Sequence, residues 1–278
     1  MDSYRIKPWE DLTIQDDYMF KLVMSYPHIC KKMIEKILRI PIREIRYIEE
    51  EKSIQARYTS KGVRLDVYVE DKENTIYDIE MQVRKPEGDG LSKRLRYYQS
   101  MIDADQTDAG KDYDELKQTY IIFICPFPIF KDGRHKYTFR NRCDEDTNLA
   151  LPDGAVKILL STRGTMNDVE PDVQRFLDYV NGIISNDEFV QEIDRTIRKE
   201  KADKKKGSDY MTYEMKIKEE RKEAEKLGIE EGKKRKELEM IINLLKNKVS
   251  LPVIASVSGL TTDRIEEIAK NNHLEVVW

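Results

Sequence analysis

Cysteine and histidine are scarce, three of each in 278 residues, and neither is arranged for chemistry. Cys30, Cys125 and Cys143 form no CxxC pair and are odd in number, so neither a disulfide framework nor a zinc knuckle is supported. His28, His135 and His273 are far apart, which removes HExxH and closely spaced His-x-His metal motifs. Long apolar runs are missing as well: no window approaches the ~18 residues of a membrane span. The N-terminus carries acidic residues where a signal peptide needs an apolar stretch, so the expected location is cytoplasmic. Charge of one sign is absent too, with 49 Lys+Arg against 53 Asp+Glu and a net charge of −4. There is thus no global attraction to nucleic acid, and DNA binding requires a local basic patch.

What remains is a chain rich in charge, 37% against a usual ~25%. Its balance of signs, with 15 Tyr and 7 Phe, argues for a globular part joined to a solvated helical part rather than for disorder. Catalysis, if present, rests on carboxylates, Lys, Arg, Gln or Tyr.

Thr13 followed three residues later by Asp16 reads as a helix entry ahead of DDYMFKLVM. Pro27 should end that helix and open a second, HICKKMIEKIL. Glu44 to Tyr58 is β-prone, Ser60-Lys61-Gly62 reads as a turn, and RLDVYVE (64–70) is a second strand. Asp71 to Asn74 makes a hairpin turn and TIYDIEMQVR (75–84) a third strand. LSKRLRYYQSMIDAD has a helical apolar face at Leu91, Leu95, Tyr98, Met101 and Ile102. TYIIFICPF (119–127) reads as a central strand buried on both faces. Further strands are expected at 136–142 and 156–161 and a helix at 172–184, so the first 127 residues run α-α-β-β-β-α-β.

Between Arg198 and Glu239, 15 basic and 12 acidic residues fill 27 of 42 positions. Mixed-sign charge at helical spacing is a solvated helix. Leu227, Ile229, Leu238, Ile241, Ile242 and Leu245 form a scattered apolar face on it, suited to a homodimer through C-terminal helices. The tail resembles a helix-turn-helix with Val253, Ile254, Val257, Leu260, Ile265 and Ile268 as its apolar cluster. The expected division is therefore 1–185, a charged helical region 186–247 and a small C-terminal segment 248–278.

The informative segment is RLDVYVEDKENTIYDIEMQ. Residues two apart on a strand share a face, so Glu80 and Gln82 project together, and the tight turn makes Asp66 their neighbour. Two carboxylates and an amide oxygen suit a hard divalent cation. The alternative is the polar outward face of an ordinary strand. Asp78, Glu70 and Asp71 are read as turn and surface residues, and Cys125 as a small core hydrophobe.

Asp66, thirteen intervening residues and Glu80-Met81-Gln82 resemble the D…(D/E)xK arrangement of the PD-(D/E)xK nuclease superfamily. DDYMFK, GVRLDVYVED, YDIEMQ, RLRYYQSMIDAD and YDELKQTYIIFIC together resemble, over about residues 10–185, the Rpn family of recombination-promoting nucleases and transposase-related proteins. The resemblance implies a restriction-endonuclease-like α/β fold: an α-β-β-β-α-β core, a mixed sheet flanked by helices, with a charged helical C-terminal extension. It implies a metal-dependent DNA endonuclease in which Asp66 and Glu80 hold Mg²⁺ or Mn²⁺. Gln82 stands where the superfamily has Lys; a neutral amide can orient water but adds no charge. Asp17 matches the family's DxxFK signature, and either completes the metal shell or merely pairs with Lys21. Lys21 either substitutes in space for the motif lysine or is a surface residue. Arg94 and Gln99, on the helix after the hairpin, are candidates for contacting the DNA backbone. The alternative function is a catalytically weak or inactive nuclease-fold module that binds DNA or protein.

Overall fold

Pro27 separates the first two helices: α1 spans Asp17–Met24 and α2 spans Pro27–Leu38, with Pro27 in the first turn where its missing N–H costs nothing. Arg39 closes α2 in the left-handed region, φ 59°. The computed structural model describes residues 6–55, 62–107, 110 and 112–278. The turn expected at Ser60-Lys61-Gly62 lies, except for Gly62, outside the described residues, as do Ala56–Tyr58. Asp16 precedes α1, but its carboxylate turns back to accept from Thr13 N (2.6 Å) and Thr13 Oγ1 (3.0 Å) instead of capping α1.

Strands β1 (Ile45–Ile54), β2 (Val63–Asp71) and β3 (Ile76–Met81) form an antiparallel meander. The tight turn after β2 is built by Asp71, which is buried. Its Oδ1 accepts from Glu73 N and Thr75 N, its Oδ2 accepts from Tyr77 OH, and Asn74 takes the positive φ of 61°. Helix α3 (Gly90–Gln106) crosses to β4 (Thr119–Cys125), which lies parallel to β3, the pairing that a helical crossover between neighbouring strands allows. With β5 (Lys136–Phe139) and β6 (Ala155–Ser161) the sheet has the order β1-β2-β3-β4-β6-β5.

Leu91, Leu95, Tyr98, Met101 and Ile102 of α3 pack on Leu65, Tyr68, Ile76, Ile121 and Phe123, which covers one sheet face. Neighbouring Ile122 and Ile124 are also fully buried, so β4 is covered on both faces. Cys125 belongs to the core of the α3 side, and burial pushes its thiol up to about 12, so it packs rather than reacts. Helices α4 (Pro171–Val180) and α5 (Glu188–Ala202) pack against α2, and α5 also against α1.

The chain divides into two compact units. The first is Lys7–Tyr210, so α5 and the first turns of α6 (Lys204–Lys246) extend it beyond residue 185. Tyr210 accounts for this, its ring 5.7 Å from Trp9 and 5.2 Å from Tyr18 and its hydroxyl donating to Lys7 O. The second unit includes Met211–Trp278, with α7 (Leu251–Ser258) and α8 (Thr262–Asn271). Its core is Ile241, Leu245, Leu251, Ile254, Ile265, Ile268 and Ala269. Val253 and Val257, expected inside, are exposed, because α7 turns Leu251 and Ile254 inward instead. Leu227, Ile229 and Leu238 are likewise exposed along α6. Among the described residues no helix is long and apolar enough to cross a membrane.

Candidate active site

The ladder between β2 and β3 runs from Glu70↔Ile76 to Val67↔Ile79 and then changes character. At the next rung the side chains take over from the backbone. Asp66 N donates to Glu80 Oε1 at 2.7 Å, and Met81 N donates to Asp66 Oδ2 at 3.1 Å. The two carboxylates thus fill positions that carbonyls occupy in a regular ladder, and the strands are pinned together by the acids themselves.

Each acid also faces a cation. Lys21, only 5% exposed on α1, places Nζ 2.7 Å from Asp17 Oδ2, 2.8 Å from Glu51 Oε1 and 3.6 Å from Asp66 Oδ1. Burial opposes its charge, but Asp17 and Asp66 outweigh that and hold the ammonium above its ordinary range. From α3, Arg94 Nη2 lies 3.2 Å from Glu80 Oε2, Nη1 donates to Gln82 Oε1, and Nη2 also donates to the Tyr98 hydroxyl. The sequence expectations for Asp66, Glu80, Gln82, Asp17, Lys21 and Arg94 therefore converge in space. Lys21 is a buried member of the cluster, not a surface lysine. Gln99 is not brought to it; its amide donates to Asp103 Oδ1 at 2.9 Å, along α3, and its Oε1 is buried with no hydrogen-bond partner among the described residues.

Two acids in the cluster were not singled out by sequence. Asp78, expected on the surface, is fully buried, because α3 covers that face of β3 and all six residues of the strand are buried. Neither of its oxygens has a hydrogen-bond partner among the described residues. It shares the parity of Glu80, and an acid at i−2 within an otherwise apolar strand is the signal that could have revealed it. Glu51, on β1, reaches Lys21 through a left-handed backbone, φ 60°, which periodicity does not reveal. Glu70, at the far end of β2, pairs with Lys117 at 2.9 Å and Arg46 at 3.7 Å, away from these groups.

Crowding three carboxylates in the interior raises all of them. Burial, then repulsion from Asp17, lifts Asp66 to about 7 despite Lys21. Burial and then Asp66 raise Asp78 well above the usual range; burial, then Asp78 and Asp66, do the same for Glu80. Such a concentration of acid is characteristic of functional sites.

The donor set is oxygen only, and an orphaned carboxylate lies beside it, which fits a hard divalent cation. Among the described residues no three His, Cys, Asp or Glu groups converge as a ready ligand cage. A Mg²⁺-type site does not need one, since one or two carboxylates with water and substrate phosphate suffice. Asp66 opens on a cavity of about 760 Å³ whose walls include Arg64, Lys93, Arg94, Tyr97 and Tyr98, giving a cationic, aromatic approach to the acids.

The family described as PD-(D/E)XK nuclease family transposase matches residues 14–152, a span that holds every residue of this cluster. No curated protein and no solved structure matches the chain.

Proposed function

Since the chain belongs to the PD-(D/E)XK nuclease family transposases, we propose that it is a divalent-metal-dependent DNA endonuclease that hydrolyses phosphodiester bonds. The observation that carries the reading is the crossed Asp66–Glu80 pair, whose Asp66 lines a cleft shared with Arg64, Lys93 and Arg94 while Glu80 is buried behind it. Asp66 and Glu80 would hold Mg²⁺ or Mn²⁺, with Asp17 close enough to Asp66 to raise its pKa. When bound, the cation supplies charge to polarise the scissile phosphate and acidify the attacking water.

The remaining work falls to the chain. Arg94, fixed by Tyr98 and Gln82, binds the phosphate as a planar fork. Gln82 orients water through its amide, and Lys21, beside Asp66, supplies the positive charge that the amide lacks. Water attacks phosphorus in line, the bond from phosphorus to the 3′ oxygen breaks, and a 3′-hydroxyl and a 5′-phosphate result. The biological setting is recombination or transposition, and the C-terminal helices join two copies so that two sites address two strands.

Purified protein should nick supercoiled plasmid with Mg²⁺ or Mn²⁺, whereas Asp66→Ala and Glu80→Ala should not. Undiminished cleavage by both variants would sink the assignment. One observation favours a second reading, a DNA- or protein-binding module without cleavage: all four carboxylate oxygens of Asp66 and Glu80 already face a donor within the chain. It predicts retention of DNA with no metal-dependent nicking.

A further inference from the structure

Strand β1 contains a backbone conformation that a strand has no local reason to adopt. Five non-glycine residues among those described have positive φ: Arg39, Glu51, Asn74, Lys248 and His273. Arg39 caps α2, Asn74 sits in the β2–β3 turn, and Lys248 and His273 follow the ends of α6 and α8. Glu51 alone of the five lies inside a strand. Glutamate gains nothing intrinsic from the left-handed region, so the surrounding structure must enforce it.

The kink is located opposite the candidate site. Pairing of β1 with β2 runs through Glu50↔Val67 and resumes at Lys52↔Leu65, so Glu51 stands across from Asp66. Adjacent strand residues ordinarily face opposite ways. Here Glu50 interacts with Ser25 at the end of α1, and Glu51 bonds Lys21 on the same helix. Lys52 then turns to the α3 side, 2.8 Å from Asp105 and 3.8 Å above the Tyr68 ring. The left-handed residue therefore delivers a second acid to the α1 side without disturbing the rest of β1.

We infer that Glu51 is a positioning residue of the proposed nuclease: its left-handed backbone aims its carboxylate at Lys21 and fixes that ammonium beside Asp66. The inference rests on the nuclease reading above. Lysine carries its charge on a flexible four-carbon stem, and its ammonium has three donors. Asp17 at 2.7 Å and Glu51 at 2.8 Å, from two different elements, direct the group from two sides and leave it 3.6 Å from Asp66. Asp17 alone, one helical turn away on the same helix, would fix the direction less well. With an amide at position 82, the reaction depends on where this ammonium sits, and small misplacements of a catalytic group are expensive.

The test uses the full-length protein with Mg²⁺ on plasmid and oligonucleotide substrates. Glu51→Gln, which keeps an acceptor but loses the charge, should lower kcat about tenfold with KM changed less than about twofold. Glu51→Gly accepts the left-handed backbone without strain, so it should melt no lower than wild type and yet lose kcat at least as far. Under single-turnover conditions Glu51→Gln should add less than about twofold to the loss caused by Lys21→Gln, since the two act through one group. The inference is overturned by a cleaving wild type with kcat unchanged in both Glu51 variants, or by a second full loss in the Lys21→Gln background. A wild type without metal-dependent cleavage overturns the nuclease reading itself, and the inference with it.

Discussion

Asp66 and Glu80 hold one another crosswise: the Asp66 amide donates to the Glu80 carboxylate, and the Asp66 carboxylate accepts from the amide that follows Glu80. Each acid is therefore both a candidate ligand and a strand-pairing element. Substitution should separate these roles. Glu80→Gln retains an oxygen for Asp66 N and loses only charge, so its fold should survive while metal-dependent nicking falls by about two orders of magnitude or more. Glu80→Ala should lose the same activity and also about 1–3 kcal/mol, because a buried donor is left unpaired. Thermal melts read beside plasmid nicking check both; equal stability of the two variants would remove the structural half of the argument.

Much of this arrangement was legible in the sequence because it is periodic or local. The hairpin parity that joins Glu80 to Gln82, the turn at Asp71–Asn74 and the apolar stretch of β4 all follow from short-range rules. Asp78 escaped because its burial depends on α3 folding over that face of β3, a tertiary fact that alternation does not encode. Glu51 escaped for a different reason. Its role rests on a single dihedral angle inside a strand whose sequence, IRYIEEEKSI, offers three consecutive acids and no mark on the one that turns. Val253 and Val257 show the limit from the other side: helical spacing identified an apolar stripe on α7, but two of its faces were possible and Leu251 decided between them.

Asp78→Asn should stabilise the metal-free protein. Burial and the Asp66 charge raise the pKa of Asp78 in the folded state above its unfolded value, so the carboxylate detracts from stability increasingly as pH rises past that unfolded value. The amide variant escapes the penalty. With chelator present it should gain about 1–3 kcal/mol near pH 8, and the gain should vanish near pH 4, where wild type is already protonated. Cleavage should fall in the same variant, as expected where an acidic site is kept at the expense of stability. A lower melting temperature at pH 8 would show that Asp78 is paired in solution.

The first turns of α6 should stabilise the unit that contains the candidate site. Tyr210 is buried between Trp9 and Tyr18 and bonded to Lys7 O, and Gly207 lets the helix approach the Trp9 ring, where a Cβ would sit 3.1 Å from Cδ1. A chain ending at Ala202 loses this aromatic cluster; one ending at Met211 keeps it. The shorter chain should be the less stable by about 2–4 kcal/mol, from one buried aromatic and its hydrogen bond. Urea melts of the two chains decide the matter, and coincident midpoints would place the boundary nearer residue 185. Sedimentation of the longer one tests the dimer: a monomer is expected once the C-terminal helices are gone.

Acid should weaken the contact between α2 and α4 before it disturbs the sheet. Asp172, in the first turn of α4, accepts from Lys36 Nζ at 2.9 Å and from both terminal nitrogens of Arg39. Burial works to raise its pKa, but the hydrogen bonds from Arg39 and Lys36 prevail and hold the carboxyl below its ordinary range. A folded pKa below the unfolded value gives stability that is present above about pH 4 and is lost as the pH falls through the folded value. Part of the cluster is solvent-exposed, so screening limits its worth to about 1 kcal/mol. Asp172→Asn should therefore lower the melting temperature by a few degrees at pH 7, about what ~1 kcal/mol gives in a domain of this size. Near pH 2, below the unfolded value, the difference between wild type and variant should be clearly smaller than at pH 7. An unchanged difference between the two pH values would mean that the carboxylate contributes through shape rather than charge.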